Sequence, residues 1–341
     1  MESKPKQLAQ GERRPVRGQI SLLKALDLSR FEPTPRGELP PMGRHVSGKV
    51  SAKIKAQADR VAERLHARKE ILDELSRAAV DSSVITGLVS GDAALAAQIL
   101  KTINSPYYGL RQPSGSIGQA VHLLGSVEIR NIVWRTCISE SISATNRAAG
   151  ELLGGIWRHA FSTSRVAHAM ARSFNLPRAK DISVAALLHD VGKFICLNVW
   201  PGWTQTFFQP LRFSNHQRLS EEKEHLGMGH AMLGAEVARA WGLPSEICTT
   251  IEQHHAPSYL PPPRVTGNRR AIAVVHLSDV LCHIADPYLG GREISPVQLP
   301  VSGWMAVLGV RDNLESVCSE SVILALLPPT VDRNEVASNA A

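Results

Sequence analysis

From Val50 onward the apolar residues recur at helical spacing: Ile54, Ala58 and Val61, then Ile71, Leu75 and Ala78, then Leu95, Ile99 and Ile103. Strand-like alternation is scarce, so the pattern predicts an all-α, multi-helical fold over residues 50–325. Breaks fall at Gly91-Asp92, Asn104-Ser105-Pro106, Gly109, Gly125-Ser126, Asn175-Leu176-Pro177 and Gly242-Leu243-Pro244, where turn chemistry interrupts the period. A softer seam, NRAAGELLGG at 146–155, divides an N-terminal helical unit (49–145) from a second one (151–290) expected to pack on it. Residues 1–48 mix Pro, Gly and basic residues with one short amphipathic stretch, SLLKALDL, and are expected to form a mostly flexible arm. Residues 291–341 should add C-terminal helices and a frayed tail.

Composition narrows the class. With 341 residues, 43% hydrophobic and 20% charged, the chain has ordinary globular usage, which excludes a protein disordered or fibrous throughout. No run of ~18 uncharged apolar residues is present, and MESKPKQLAQGERR lacks the apolar core of a signal peptide. Neither a membrane span nor secretion is therefore expected, and the location expected is cytoplasmic. The five cysteines are widely spaced, form no CxxC pair and read as reduced core thiols. The net charge of +7 is uneven: residues 1–70 hold 16 Lys/Arg against 8 Asp/Glu, leaving the remainder close to neutral. A solvated tail is the expected meaning. Nucleic acid is not an expected partner beyond weak contact through the arm, because no aromatic residue interleaves the charges between Met1 and Arg30.

Ten of the 13 histidines follow the seam. DISVAALLHDVGKF reads as one helix with Asp181 near its N-cap and Gly192 near its end. On it His189 points the way the buried face points, and Asp190 can share a site with it only near a helix end. Four more segments place a titratable residue on or beside an apolar stripe. His230 lies in line with Leu233, Val237 and Trp241. His254 and His255 follow Ile251 by three and four positions, in a helix that Ser245 should cap. Asp279 falls four after Val275, and His159 borders the stripe of Ile156, Ala160 and Thr163. A lone buried imidazole is usually a hydrogen-bonded core residue. Burying five imidazoles and two carboxylates separately would need many partners, at several kcal/mol for each one unmet, whereas one shared metal site satisfies all of them.

The order His159, His189-Asp190, Asp279 resembles the ligand pattern of the HD superfamily of metal-dependent phosphohydrolases. His230 with His254-His255 resembles the extra ligands of its binuclear members, including the HD-GYP phosphodiesterases. That group continues its His-His with an acidic residue and a GYP loop, whereas this chain reads HHAPSYLPPP, which counts against cyclic di-GMP hydrolysis. A closer resemblance, over roughly residues 60–285, is to the HDOD domain, a bacterial signalling relative of the HD hydrolases. It rests on GDAALAAQILKTINSPYYG, SIGQAVHLLGSVEIRNIV, WRHA, ALLHDVGKF, EHLGMGHAMLGAEVARAWGLP and HH, with Ala93 where the family usually has Pro. The resemblance implies an HD-like metal-site unit packed with an N-terminal helical bundle, and a signalling module more than an enzyme.

By the same resemblance, one divalent ion would be held by His159, His189, Asp190 and Asp279. A second would be held by Asp190 with His230, His254 and His255. The donor set suits Fe, Mn, Zn, Ni or Mg. If the site is catalytic, Asp190 would bridge the ions and Lys193 would hold a phosphate oxygen; Lys193 reads equally well as a solvated charge near a helix C-terminus. His276 and His283 are expected at the surface, with support of Asp279 as the alternative. Glu224 is the residue expected to orient a ligand histidine. No kinase or cyclase motif accompanies the unit, so recruitment of a signalling protein or binding of a small phosphorylated ligand is the expected mode of action. Phosphodiester hydrolysis is the alternative.

Overall fold

The computed structural model describes residues 48–77, 81–105, 108, 110, 112–141, 147–200, 202, 204, 215–290 and 299–327. The basic arm, with SLLKALDL, lies outside the described residues, as do 291–298 and the C-terminal tail. The described residues form helices and turns without a strand.

Among the described residues five helices come first: α1 (Gly48–Ala67), α2 (Lys69–Ser76), α3 (Ser82–Gly91), α4 (Ala93–Ile103) and α5 (Ile117–Ser139). Asp81 caps α3 by accepting from Ser83 N, and Asp92 caps α4 by accepting from Leu95 N. The expected break at Gly125 is a kink inside α5, where φ is +73° and only glycine is unstrained. Arg68 fastens this group: its buried guanidinium donates to Asp92 (2.7 Å) and in a fork to both oxygens of Glu140 (3.0 and 3.1 Å).

The second group is α6 (Arg147–Ser173), α7 (Ala179–Leu188), α8 (Val191–Val199), α9 (Asn215–Leu226), α10 (His230–Ala240), α11 (Ser245–Gln253), α12 (Arg269–Gly290), α13 (Trp304–Val307) and α14 (Glu320–Leu326). Helix α6 packs along α7, α12 and α14, and α10 lies against α8 and α11. Helix α6 begins at Arg147 and runs through most of the glycine-containing seam. One apolar core is continuous from Val61 on α1 to Leu326 on α14. Between the two groups, Arg130 on α5 donates to the Ser183 hydroxyl on α7. Ser164 Oγ on α6 donates to Ser183 O (2.8 Å) and lies 3.1 Å from Asn131 Oδ1.

DISVAALLHDVGKF differs from its expected single helix. Arg178, at φ +57°, occupies the cap position of α7; Asp181 sits in the first turn and pairs with it. The helix stops at Leu188, and Gly192 belongs to the first turn of α8. The stretch Ala179–Val199 is apolar and long enough to cross a membrane, but 83% of its apolar window is buried inside this fold. No disulfide joins the cysteines; Cys137, Cys196, Cys248 and Cys282 are buried.

Candidate metal centre

His189 and Asp190 occupy the joint between α7 and α8, with Asp190 at φ −98°, ψ 10°, and both are buried. The joint faces them inward together, which one straight helix would not do. Helix ends also supply the anchors. The last carbonyls of a helix lack intrahelical partners, and the His189 imidazole folds back so that Nδ1–H donates to Ala186 O (2.7 Å). His254, just past α11, repeats the device with Ile251 O (2.7 Å). Each ring then presents the Nε2 lone pair to the interior.

His230 starts α10. The Glu222 carboxylate on α9 accepts from its backbone N–H (2.7 Å) and from its Nδ1–H (2.8 Å), so one acid caps the helix and turns the ring. His230 Nε2 consequently lies 3.1 Å from Asp190 Oδ1 and 3.1 Å from His255 Nε2. On the other side His159 Nε2 lies 2.8 Å from Asp279 Oδ1, which is also 3.7 Å from His189 Nε2 and 3.2 Å from His283 Nε2. His254 Nε2 is 4.0 Å and His189 Nε2 3.5 Å from the Asp190 carboxylate. Helices α6, α10, α11, α12 and the α7–α8 joint thus bring His159, His189, Asp190, His230, His254, His255 and Asp279 together.

Three buried atoms of this group, His189 Nε2, Asp190 Oδ1 and His254 Nε2, have no hydrogen-bond partner. Such orphans are costly unless something outside the protein meets them. Among the described residues three sets of side chains have donor atoms close enough for a shared ion: His230, His254 and His255; His159, His189 and Asp190; and His159, Asp279 and His283.

Charge in the cluster is settled by proximity. Burial alone would raise the Asp190 carboxyl, but the Lys193 ammonium, 2.6 Å from Oδ2, and the adjacent imidazoles hold it well below the usual range. Asp279 is held down against its burial by His283, His159 and His189. Burial, then the neighbouring rings, keep His254 and His255 neutral, and burial with His283 pushes His159 down to about 4. For His230 and His189 burial is outweighed by Glu222 and Asp190 respectively, which push those rings up. An opening lined by Lys193, Leu219, Glu222, His230, His255, Asp279 and His283 connects the cluster to the surface.

Several of the expected placements are corrected. Lys193 lies in the first turn of α8, not near a helix C-terminus, and is tied to Asp190. The acid beside the His230 ring is Glu222; Glu224 is exposed, because it lies two positions round α9. His276 is buried, not at the surface: its Nδ1–H donates to His254 O (2.8 Å), so it braces the segment that carries His254. His283 is one-third exposed yet touches Asp279. Pro244, not Ser245, holds the cap position of α11. The side chains of His216 and His225 lie outside the description. EEKEHLGMGH offers several acids, and spacing to the histidine does not choose among them; the buried polar face of α9 would have been the only signal for Glu222.

A family model of the HDOD domain matches residues 65–257. An uncharacterized protein of Treponema pallidum (strain Nichols) is 24% identical over 214 residues, 61% of this chain and 40% of that protein, so this chain spans well under two thirds of that relative. Among solved structures, a candidate phosphohydrolase from Shewanella amazonensis SB2B gives a TM-score of 0.50 at 17% identity, over 82% of this chain and 97% of that one. A candidate signal transduction protein from Marinobacter aquaeolei VT8 also gives 0.50, at 18% identity, over 95% of this chain and 63% of that one. At such identities the likeness is one of fold. With the family model covering more than half of its length, the chain belongs to the HDOD domain family.

Proposed function

We propose that this chain is a signalling module whose buried cluster holds one or two divalent ions, and that it acts by binding a protein partner or a small phosphorylated ligand. The observation that carries the metal is the set of buried, unpartnered donors: His189 Nε2, His254 Nε2 and Asp190 Oδ1. Lone pairs cannot satisfy one another, and a cation among them satisfies all three. His159, His189, Asp190 and Asp279 would hold one ion; Asp190, His230, His254 and His255 would hold the other. Such ions, when bound, acidify a coordinated water and clamp a phosphate. The chain's own contribution is orientation: Glu222 turns His230, the carbonyls of Ala186 and Ile251 turn His189 and His254, and Lys193 neutralises Asp190.

The signalling reading is supported by the HDOD family and by the likeness to the candidate signal transduction protein of Marinobacter. It is supported too by the segment after His255, which lacks the acidic-GYP pattern and is stiffened by Pro261-Pro262-Pro263. The second reading, a metal-dependent phosphohydrolase with Asp190 and Lys193 at the reacting phosphate, is favoured by the opening, which Lys193 lines beside the cluster. Metal analysis of purified protein, with phosphate-ester hydrolysis measured in Mn, Fe and Zn, tests both. About one or two equivalents of metal without turnover is the expected result. Metal-dependent turnover that vanishes in His189→Ala would reverse the ranking, and less than a tenth of an equivalent, with none taken up on reloading, would remove the site.

A further inference from the structure

Resting on the reading that the cluster holds a divalent ion, we infer that His283 is a further protein ligand, one that closes the solvent side of the ion shared by His159 and Asp279. His283 follows Asp279 by one turn of α12, so both side chains leave the same helix face. Its ring stacks on His159 with centroids 4.2 Å apart and planes inclined by 27°. The donor atoms of His159, Asp279 and His283 all lie within 4.8 Å of one another.

The crowding at Asp279 is the core of the inference. Oδ1 has two lone-pair directions, and two imidazole Nε2 atoms lie within hydrogen-bond distance of it, at 2.8 Å (His159) and 3.2 Å (His283), while His189 Nε2 stands 3.7 Å away, buried and without a hydrogen-bond partner. Hydrogen bonding accounts for the first two and leaves His189 unmet. A cation shared by the carboxylate and the rings accounts for all three. His189 and His159 approach from the buried side, whereas His283 is one-third exposed and lines the opening. A catalytic metal keeps a position for water or substrate, and a structural one is closed by protein. His283 takes the position through which a phosphate oxygen would enter. A chain that keeps a hydrolase-like ligand set is thereby kept from hydrolysing at this ion.

The test uses the full chain, stripped with a chelator and titrated with Co2+ alone, read by visible absorption before and after added azide, with circular dichroism to follow the fold. Wild type should give bands that azide does not move. His283→Ala should bind Co2+ about ten-fold more weakly, show shifted bands and gain an azide-dependent change. His283→Gln, which can still donate a hydrogen bond to Asp279 but is a poor ligand, should follow the alanine variant. Wild-type spectra in both variants would overturn the inference. So would wild-type behaviour in glutamine alone, because His283 would then only orient Asp279. Loss of fold in the alanine variant leaves the glutamine variant to decide, and loss in both would mark a packing residue and overturn the assignment. Wild type that takes up no Co2+ overturns the metal reading itself, before any variant is compared.

Discussion

Gly192 is the point at which the backbone of α8 meets the start of α10, and Gly192→Ala puts a number on that contact. A Cβ there would lie 2.8 Å from the His230 carbonyl carbon, 3.0 Å from Gly234 N, and closer still to the His230 carbonyl oxygen. All three are backbone atoms, so no side-chain rotation relieves the clash, and the helices must part by ~1 Å. Overpacking of this kind costs up to ~3 kcal/mol. Alanine returns about 1 kcal/mol through its better helix propensity, leaving about 2 kcal/mol, or a Tm roughly 4–8 °C lower. The parting also carries His230 away from Asp190, so the variant should lose the ion on that side while keeping the one beside His159. Thermal unfolding by circular dichroism and metal analysis measure the two effects independently. A Tm within ~2 °C of wild type, with both ions retained, would refute the reasoning, since propensity alone makes alanine the more stable residue.

Glu222→Gln keeps the size of the side chain but removes the charge that caps α10 and turns His230, so metal affinity should fall about 10–100-fold by isothermal titration; unchanged affinity would separate Glu222 from the site. His168 on α6 is pushed down to about 4, chiefly by burial and then by the Arg130 charge. The fold favours its neutral form, so its contribution is full above the unfolded value near 6.5, falls as the pH drops, and levels off below about 4. Urea unfolding should show His168→Gln losing roughly 1–2 kcal/mol less than wild type between pH 7 and pH 4, after allowance for solvent screening at a partly exposed ring; parallel losses would contradict this. Trp304 is fully buried and donates to Leu260 O (2.7 Å), clamping the segment after His255. Trp304→Ala should cost about 3–5 kcal/mol by denaturant unfolding and Trp304→Phe about 1 kcal/mol.

The helices were legible because burial imposes a 3.6-residue period that Ile54 to Val61 and Leu95 to Ile103 display directly. The histidines and aspartates stood out because a titratable residue on an apolar stripe contradicts its surroundings. What escaped depends on contacts distant in sequence. The segment through His189 has helical periodicity on both sides of the joint, so local pattern alone runs α7 into α8. The glycine that suggested a helix end, Gly192, is small because another helix lies against it. Glu222 and Glu224 are equivalent until α9 is set against α10. His276 and His283 flank Asp279 at −3 and +4, and only the neighbouring helices decide that one is buried behind His254 and the other lies in the opening.

Helix α7 is anchored at two places. Ser183 receives the Arg130 guanidinium of α5, a cation buried away from water and pushed down to about 10 by that burial, while His189 ends the same helix inside the histidine cluster. They are six positions apart, about 9 Å of helix at 1.5 Å per residue. Over that length an α-helix behaves as a strut: it can tilt or slide, but it neither stretches nor folds up as a loop does. Ser183 cannot trade its Arg130 bond for one to water, because both groups are buried. A movement of His189 along the helix axis would therefore be delivered nearly whole to α5, and an ion entering the cluster would reach the far helical group as a push rather than as a change of charge.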